Sequence, residues 1–389
     1  MLIIFQVREG PPKGFRKGAG GADQERRLCA RKPSPLEGGV SYIWGEARSA
    51  SRGSVRTGQE YTGGNTLKTL SKATAILITL VGMLAIARPM HAAAGKCDRA
   101  CLIGEMNSYL AAVVAHDPSR VKFSPNVKFV ENTVPMKPGE GLWKTATAPP
   151  KNFKIYVPDP VSEEVGFIGV MTENDKPIEL GIRLKIRDGK ITEAEHVIVR
   201  DIAPTSLPNL VAPRPGLLAT VPPSERTPRA QMIKDALSYY TAIVTSNGKA
   251  APFAEDCVRR ENGRQTTGNP PPAKPGGFAT MGAMGCSAQL DTHVMSYIAR
   301  IEPRRVEIAD PETGLVFGLS QFRHPQKEKS VKIVGVPGVE SVPMNREPWD
   351  SVNAHIFKIR DGKIHEIEAL GFPKAYNSTT GWEKTAPPQ

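Results

Sequence analysis

The sequence predicts an α+β protein made of two tandem copies of one domain, each opening with helices and closing with an antiparallel meander. Three observations predict it. The string KIRDGKI occurs at Lys185–Ile191 and again at Lys358–Ile364, within a longer match of KIRDGKITEAE to KIRDGKIHEIE. A second, ungapped match aligns Ser108–Asn132 with Ser238–Asn262 at an offset of 130 residues, sharing Tyr109/Tyr239, Phe123/Phe253 and Glu131-Asn132/Glu261-Asn262. Each copy also passes from helix-period to strand-period text with no βαβ alternation. The matches are collinear but lie 130 and 173 residues apart, so the second copy holds 43 extra residues.

The elements follow in order. Leu102, Met106, Tyr109 and Val113 form a 4-3-4 apolar stripe on the first helix, repeated as Met232, Ala236, Tyr239 and Ile243. Thr227-Pro228 reads as the N-cap and first residue of the second helix. Strand-like text follows in both copies, from KFVEN to KITEAEHVIV and from RVEIA to KIHEIEAL. Asp188-Gly189 and Asp361-Gly362 mark tight hairpin turns. Glu193 and Glu195 alternate on one strand face opposite Arg183 and Lys185, which predicts a solvated charge ladder of little energetic weight. The stretch 204–227 is proline-rich and reads as a linker between domains at 97–203 and 228–385.

Charge first points elsewhere. The chain carries 51 Lys+Arg against 39 Asp+Glu, net +12, which invites a nucleic-acid partner. Much of that excess precedes the repeats. Residues 1–64 are glycine-rich, polar and without apolar period, the composition of a disordered, mis-annotated extension. Residues 65–94 carry Lys68 and Lys72, a 15-residue apolar run at Ala73–Ala87 and Ala92-Ala93-Ala94, the layout of a cleaved signal peptide. Such a run spans about 22 Å as a helix, short of the ~30 Å hydrocarbon core, so no stable membrane anchor is expected. From Gly95 onward the net charge is +4, and no nucleic-acid partner is called for. The expected location is periplasmic or secreted. In that setting Cys97, Cys101, Cys257 and Cys286 allow three disulfide connectivities. Cys257–Cys286 is favoured because it closes a Pro/Gly-rich loop. Cys97 and Cys101 lie one helical turn apart, a less usual bridge, with zinc as the weaker alternative.

A leading helix with a Tyr, a short second helix and a meander ending in RDGKI-x-E resembles the SnoaL-like, nuclear transport factor 2-like superfamily, which includes ketosteroid isomerase, scytalone dehydratase and polyketide cyclases. CDRACL, YLAAVVAHDPS, VENTVPMKPGEGLW and the terminal Gly381-Trp382 resemble an exported branch of it found in bacteria and fungi. The resemblance covers about 97–203 and 228–385 and implies two cone-shaped domains, each with helices on a curved sheet. It specifies chemistry poorly, because this fold hosts enzymes, carriers and scaffolds.

In ketosteroid isomerase a helix-one Tyr donates to the oxyanion and a first-strand carboxylate moves the proton. The resemblance places Tyr109/Glu131 and Tyr239/Glu261 in those roles. The competing reading is that the Tyr is core packing and Glu-Asn ends a strand. A difference between the copies adds a second clue. Alternate positions Leu180, Ile182, Leu184 and Ile186 become Asn353, His355, Phe357 and Ile359, placing two polar groups on an inward face. The second copy is therefore the expected site, with Tyr239, Glu261, His355 and Asn353 as catalytic candidates. A two-residue turn at Asp361-Gly362 sets His355 opposite Glu368, and a three-residue turn sets it opposite Ile367. Trp143 and Trp382 are candidates to cap an apolar pocket.

No nucleophile elbow, zinc-protease, P-loop or dinucleotide motif is present in the sequence. The expectation is no cofactor, no metal and a small apolar molecule as partner. Three readings remain open: a proton-transfer isomerase, cyclase, dehydratase or hydrolase; a non-catalytic ligand-binding protein; and a structural pseudo-dimer of the repeats.

Overall fold

The computed structural model describes residues 97–383, all within one compact unit. The expected extension at 1–64 and signal at 65–94 lie outside the described residues.

The first half starts with α1 (Arg99–Val114), whose Leu102, Met106, Tyr109 and Val113 are all buried against the sheet. Asp98 caps it by accepting from the Cys101 N–H. Strands β1 (Phe123–Glu131), β2 (Val134–Met136), β3 (Ala146–Ala148), β4 (Lys154–Asp159), β5 (Glu164–Glu173), β6 (Lys176–Arg187) and β7 (Lys190–Val199) follow, with a 3-10 turn at Gly141–Lys144. A connecting stretch containing the single turn α2 (Pro215–Leu218) leads to the second half and its α3 (Arg229–Thr245). There follow β8 (Phe253–Glu261), β9 (Arg264–Gln265), α4 (Gly277–Ala283), α5 (Cys286–Asp291), β10 (Arg300–Asp310), β11 (Leu315–His324), β12 (Ser330–Lys332), β13 (Ser341–Pro343), β14 (Trp349–Arg360) and β15 (Lys363–Ala375). Among the described residues no helix is long and apolar enough to cross a membrane.

The two large sheets share one strand order. It runs β4–β5–β6–β7–β1–β2 in the first half and β10–β11–β14–β15–β8–β9 in the second. The expectation of a wholly antiparallel sheet needs correction. β1 pairs parallel to β7, and β8 parallel to β15. After β1 and β2 the chain crosses to the far edge of the sheet, and the four-strand meander returns beside β1 in the same direction.

The faces turned away from the helices pack against each other. Ile155, Ile168 and Val197 of the first half share a core cluster with Phe317, Ile356 and Leu370 of the second. A Cβ on Gly166 would lie 2.3 Å from the Phe317 ring, so the glycine is what leaves room for Phe317 of the facing sheet. Ion pairs across the join are reciprocal. Arg99, the first residue of α1, grips Asp310 at the end of β10 (2.6 and 3.1 Å). Arg229, the first residue of α3, grips Asp159 at the end of β4 (2.6 and 2.8 Å).

This packing overturns the solvated ladder. Arg183, Glu195 and Glu164 are buried, and Glu195 takes a bidentate hold from Arg305 of the second half (2.5 and 2.7 Å). The linker is likewise no free spacer. Leu210, Leu217 and Val221 are buried, and Arg214 donates to the Val258 and Ile367 carbonyls. Nor does Thr227 cap α3. That helix begins at Arg229, and the Thr227 hydroxyl accepts from the Gly362 N–H at the second hairpin turn.

Both hairpins turn in two residues, with positive φ at Asp188, Gly189, Asp361 and Gly362, as a type I′ turn requires. Cys257 is bonded to Cys286, and Cys97 to Cys101. Loop-closure entropy assigns about 3.5 kcal/mol to the longer bridge and about 2 kcal/mol to the shorter. Cys257→Ser/Cys286→Ser should therefore lower the denaturant midpoint more than Cys97→Ser/Cys101→Ser, and the opposite order in urea melts would refute the estimate.

Candidate functional site

In the first half, Tyr109, His196 and Glu131 form one buried hydrogen-bonded chain. The Tyr109 hydroxyl lies 2.9 Å from His196 Nε2, and His196 Nδ1 lies 3.3 Å from Glu131 Oε2. The Leu142 N–H donates to the same carboxylate (2.9 Å), and Arg200 lies 3.5 Å from its other oxygen. Gly141 makes that approach possible: its φ is +62°, and a Cβ there would sit 2.7 Å from the Glu131 carboxyl. Burial alone would raise Glu131, but His196, the Leu142 amide and Arg200 together hold it below the usual carboxylate range. Trp143 fills the remaining space, edge-on to Tyr109 with ring centroids 5.3 Å apart. Trp143 is thus core packing beside a closed polar chain rather than the cap of a pocket.

The second half differs. Tyr239, Glu261, Asn353 and His355 all line one cavity, together with Met295, Tyr297 and Phe322. Its volume is about 20 Å³, room for a single water. The extra residues of this half supply part of its wall: Met295 and Tyr297 come from the stretch after α5, between β9 and β10. A second added piece, between β11 and β14, carries the small β12–β13 hairpin.

The two halves place their imidazoles by exchange across one strand pair. In the first, Ile182 on β6 faces His196 on β7. In the second, His355 on β14 faces Ala369 on β15. A third position moves with them: Phe129, packed edge-on to His196, is replaced on β8 by Arg259, which lies 3.1 Å from Glu261. The Glu–His contact of the first half therefore becomes a Glu–Arg contact in the second, and buried His355 Nδ1 has no hydrogen-bond partner among the described residues.

Burial pushes the His355 pKa down to about 3, so its imidazole is neutral across the physiological range. Burial likewise pushes Tyr239 up to about 12, leaving the phenol protonated and able to donate. Asn353 accepts from the Ser351 hydroxyl (3.0 Å) and donates to the Ser351 carbonyl (2.9 Å). Its room comes from Gly371 directly opposite, where a Cβ would fall 1.9 Å from Asn353 Oδ1.

Two expected residues lie elsewhere. The two-residue turn is present, but a bulge directly after it shifts the register, so His355 faces Ala369 and neither Glu368 nor Ile367. Glu368 points to the opposite face, into the join between the sheets, where Arg214 lies 3.2 Å away. Trp382 covers a charged cleft of about 230 Å³ between the halves, with Lys128, Arg183 and Arg305 each 4.4–5.4 Å from its ring. That cleft is not an apolar pocket. Among the described residues no cluster of His, Cys, Asp and Glu has the arrangement of a metal site.

Sequence reasoning missed His196 and Arg259. Comparing the copies on the strand after KIRDGKI would have exposed His196 against Ala369, just as the strand before it exposed His355 against Ile182.

Residues 225–371, which hold the cavity, match the family described as "Domain of unknown function (DUF8021)". No curated protein matches the chain. Among solved structures, a putative polyketide cyclase from Xanthomonas campestris pv. campestris is 15% identical over 36% of this chain and 90% of its own, with a TM-score of 0.24. A putative SnoaL-like polyketide cyclase from Jannaschia sp. CCS1 is 13% identical over 38% and 90%, at 0.24. An NTF-2-like protein of unknown function from Burkholderia xenovorans LB400 is 15% identical over 41% and 98%, at 0.23.

Proposed function

We propose that the chain is an exported tandem SnoaL-like protein whose second domain moves a proton on a small molecule without a cofactor, while the first is a closed scaffold. The observation that carries this reading is the shared cavity of Tyr239, Glu261, Asn353 and His355. Glu261 is the base and Tyr239 the oxyanion donor. His355 is too weak a base to share the first role, and instead anchors the ligand through its free nitrogen. The mixed lining suits a molecule with an apolar body and a carbonyl or hydroxyl end, the substrate pattern of an isomerase, cyclase, dehydratase or hydrolase. The repeated sequence, the common strand order and the reciprocal Arg–Asp pairs support a duplication folded as a pseudo-dimer. Two disulfides fit folding in an oxidising compartment.

One observation favours a second reading, a non-catalytic small-ligand-binding protein: the cavity is water-sized, so any larger ligand must displace part of its wall. Exchange of α-protons in small cyclic ketones, followed by NMR in deuterated buffer, separates the two. Catalysed exchange that falls about 10²–10³-fold in Tyr239→Phe and vanishes in Glu261→Gln supports proton transfer. Ketone-induced shifts of cavity resonances without exchange support binding alone. Neither response from any ketone sinks both.

A further inference from the structure

We propose that Arg259 is the positioning residue of this site: it aims the Glu261 carboxylate at the cavity and keeps it ionised, and is itself braced by the helix that Cys257–Cys286 fastens to β8. The inference rests on reading the cavity as a ligand site and supplies the reason Glu261 can act there.

Cys257, Arg259 and Glu261 alternate along β8 and so share one face. Each meets a different part of the added segment or the cavity. Cys257 is bonded to Cys286, the first residue of α5. One turn further along that helix, Gln289 Oε1 accepts from Arg259 Nη2 (2.5 Å). Gln289 is fixed in turn, because its Nε2 donates to the Thr266 and Met281 carbonyls (2.6 and 2.9 Å). Arg259 Nε donates to the Thr266 hydroxyl (3.0 Å) and lies 3.1 Å from Glu261 Oε1.

Arg259 is wholly buried and absent from the cavity wall, so it acts on a ligand only through the wall residues it meets: Glu261, Tyr239 and Met295, whose Sδ lies 3.8 Å from its Nη1. Tyr297 and His355 are the other titratable groups nearby. A buried guanidinium costs several kcal/mol of desolvation unless an anion is held against it. Glu261 is the carboxylate in that position, so its charge offsets much of the cost of burying Arg259, alongside the bonds to Gln289 and Thr266. The first half shows the alternative arrangement. There Phe129 stands in the equivalent place, and Glu131 draws on His196, the Leu142 amide and Arg200 instead. With Arg259 supplying the counter-charge to the carboxylate, the His355 nitrogen is not drawn into that contact.

The test is a ¹³C NMR titration of the oxidised full chain labelled at glutamate Cδ, with the Glu261 resonance identified by its loss in Glu261→Gln. Arg259→Met is expected to raise the Glu261 midpoint by roughly 1–3 pH units, the usual effect of losing a close opposite charge. Arg259→Lys should recover most of that shift. Gln289→Leu, which removes only the brace, should raise the midpoint by a smaller, measurable amount and broaden the resonance. Gln289→Leu decides the matter if Arg259→Met fails to fold. An unchanged midpoint in Arg259→Met, or in Gln289→Leu where Arg259→Met does not fold, overturns the proposal. The result is separable from the function itself. A shifted midpoint without ketone exchange or binding leaves Arg259 as a positioning residue and removes the site reading, whereas exchange with an unshifted midpoint does the reverse.

Discussion

Glu179→Gln is expected to leave stability near pH 4 almost unchanged and to raise it by about 1–3 kcal/mol at pH 8. Glu179 lies on β6, fully buried in the join between the two sheets, and among the described residues neither carboxyl oxygen has a hydrogen-bond partner. Burial, with the nearby Glu368 as the lesser cause, raises its pKa well above the usual carboxylate range. The charged groups around Glu368 are Arg214, Arg260 and Glu366, and burial raises Glu368 in the same direction. Since the folded pKa is the higher one, the unfolded chain releases its proton first as pH rises. Stability is therefore complete below the unfolded carboxylate pKa and is lost as pH climbs toward the folded value. The glutamine variant removes that loss at one position. Urea melts at several pH values measure it, and parallel curves for the two proteins would show that Glu179 does not titrate in the join.

Arg99→Ala and Arg229→Ala should each cost about 2–3 kcal/mol, and nearly the same amount. Each leaves a buried aspartate, Asp310 or Asp159, without its guanidinium. The figure is set below the 3–5 kcal/mol of a fully buried pair because the arginine side chains remain 32% and 27% exposed. Asp159 also accepts from the Ala309 N–H, and Asp310 from the Thr313 hydroxyl, so both carboxylates keep some support. Thermal unfolding of the two variants and of the double variant decides it. A difference above about 1.5 kcal/mol between the single variants would mean that the two contacts are not equivalent.

These contacts mark the boundary of what the sequence makes legible. Helix stripes, the Asp-Gly turns and the inward set Asn353, His355, Phe357 and Ile359 follow from periodicity within one element, and the structure buries all four of those residues or nearly so. Arg183 and Lys185 also alternate, and opposite Glu193 and Glu195 they read as a solvated ladder. They are covered because a second sheet lies over them, and nothing local to β6 records that. Register failed for a related reason. One bulged residue, His365, whose ring contacts Asp256 at 2.6 Å, moves every later partner on β15 by one place. Arg259 was invisible for a third reason: in the strand text Arg259-Arg260 reads as exposed until α5 is known to bury the first of the two.

The reciprocity of Arg99–Asp310 and Arg229–Asp159 carries one more consequence. When two identical chains assemble, every substitution is made twice, so a change that opens a site also loosens the matching place in its twin. Encoding both partners in one polypeptide removes that constraint. An imidazole can cross to the neighbouring strand, a phenylalanine give way to arginine and a long insertion settle over one half, while the other keeps its Tyr–His–Glu chain intact. On the proposed reading, the first half is the ballast that lets the second vary.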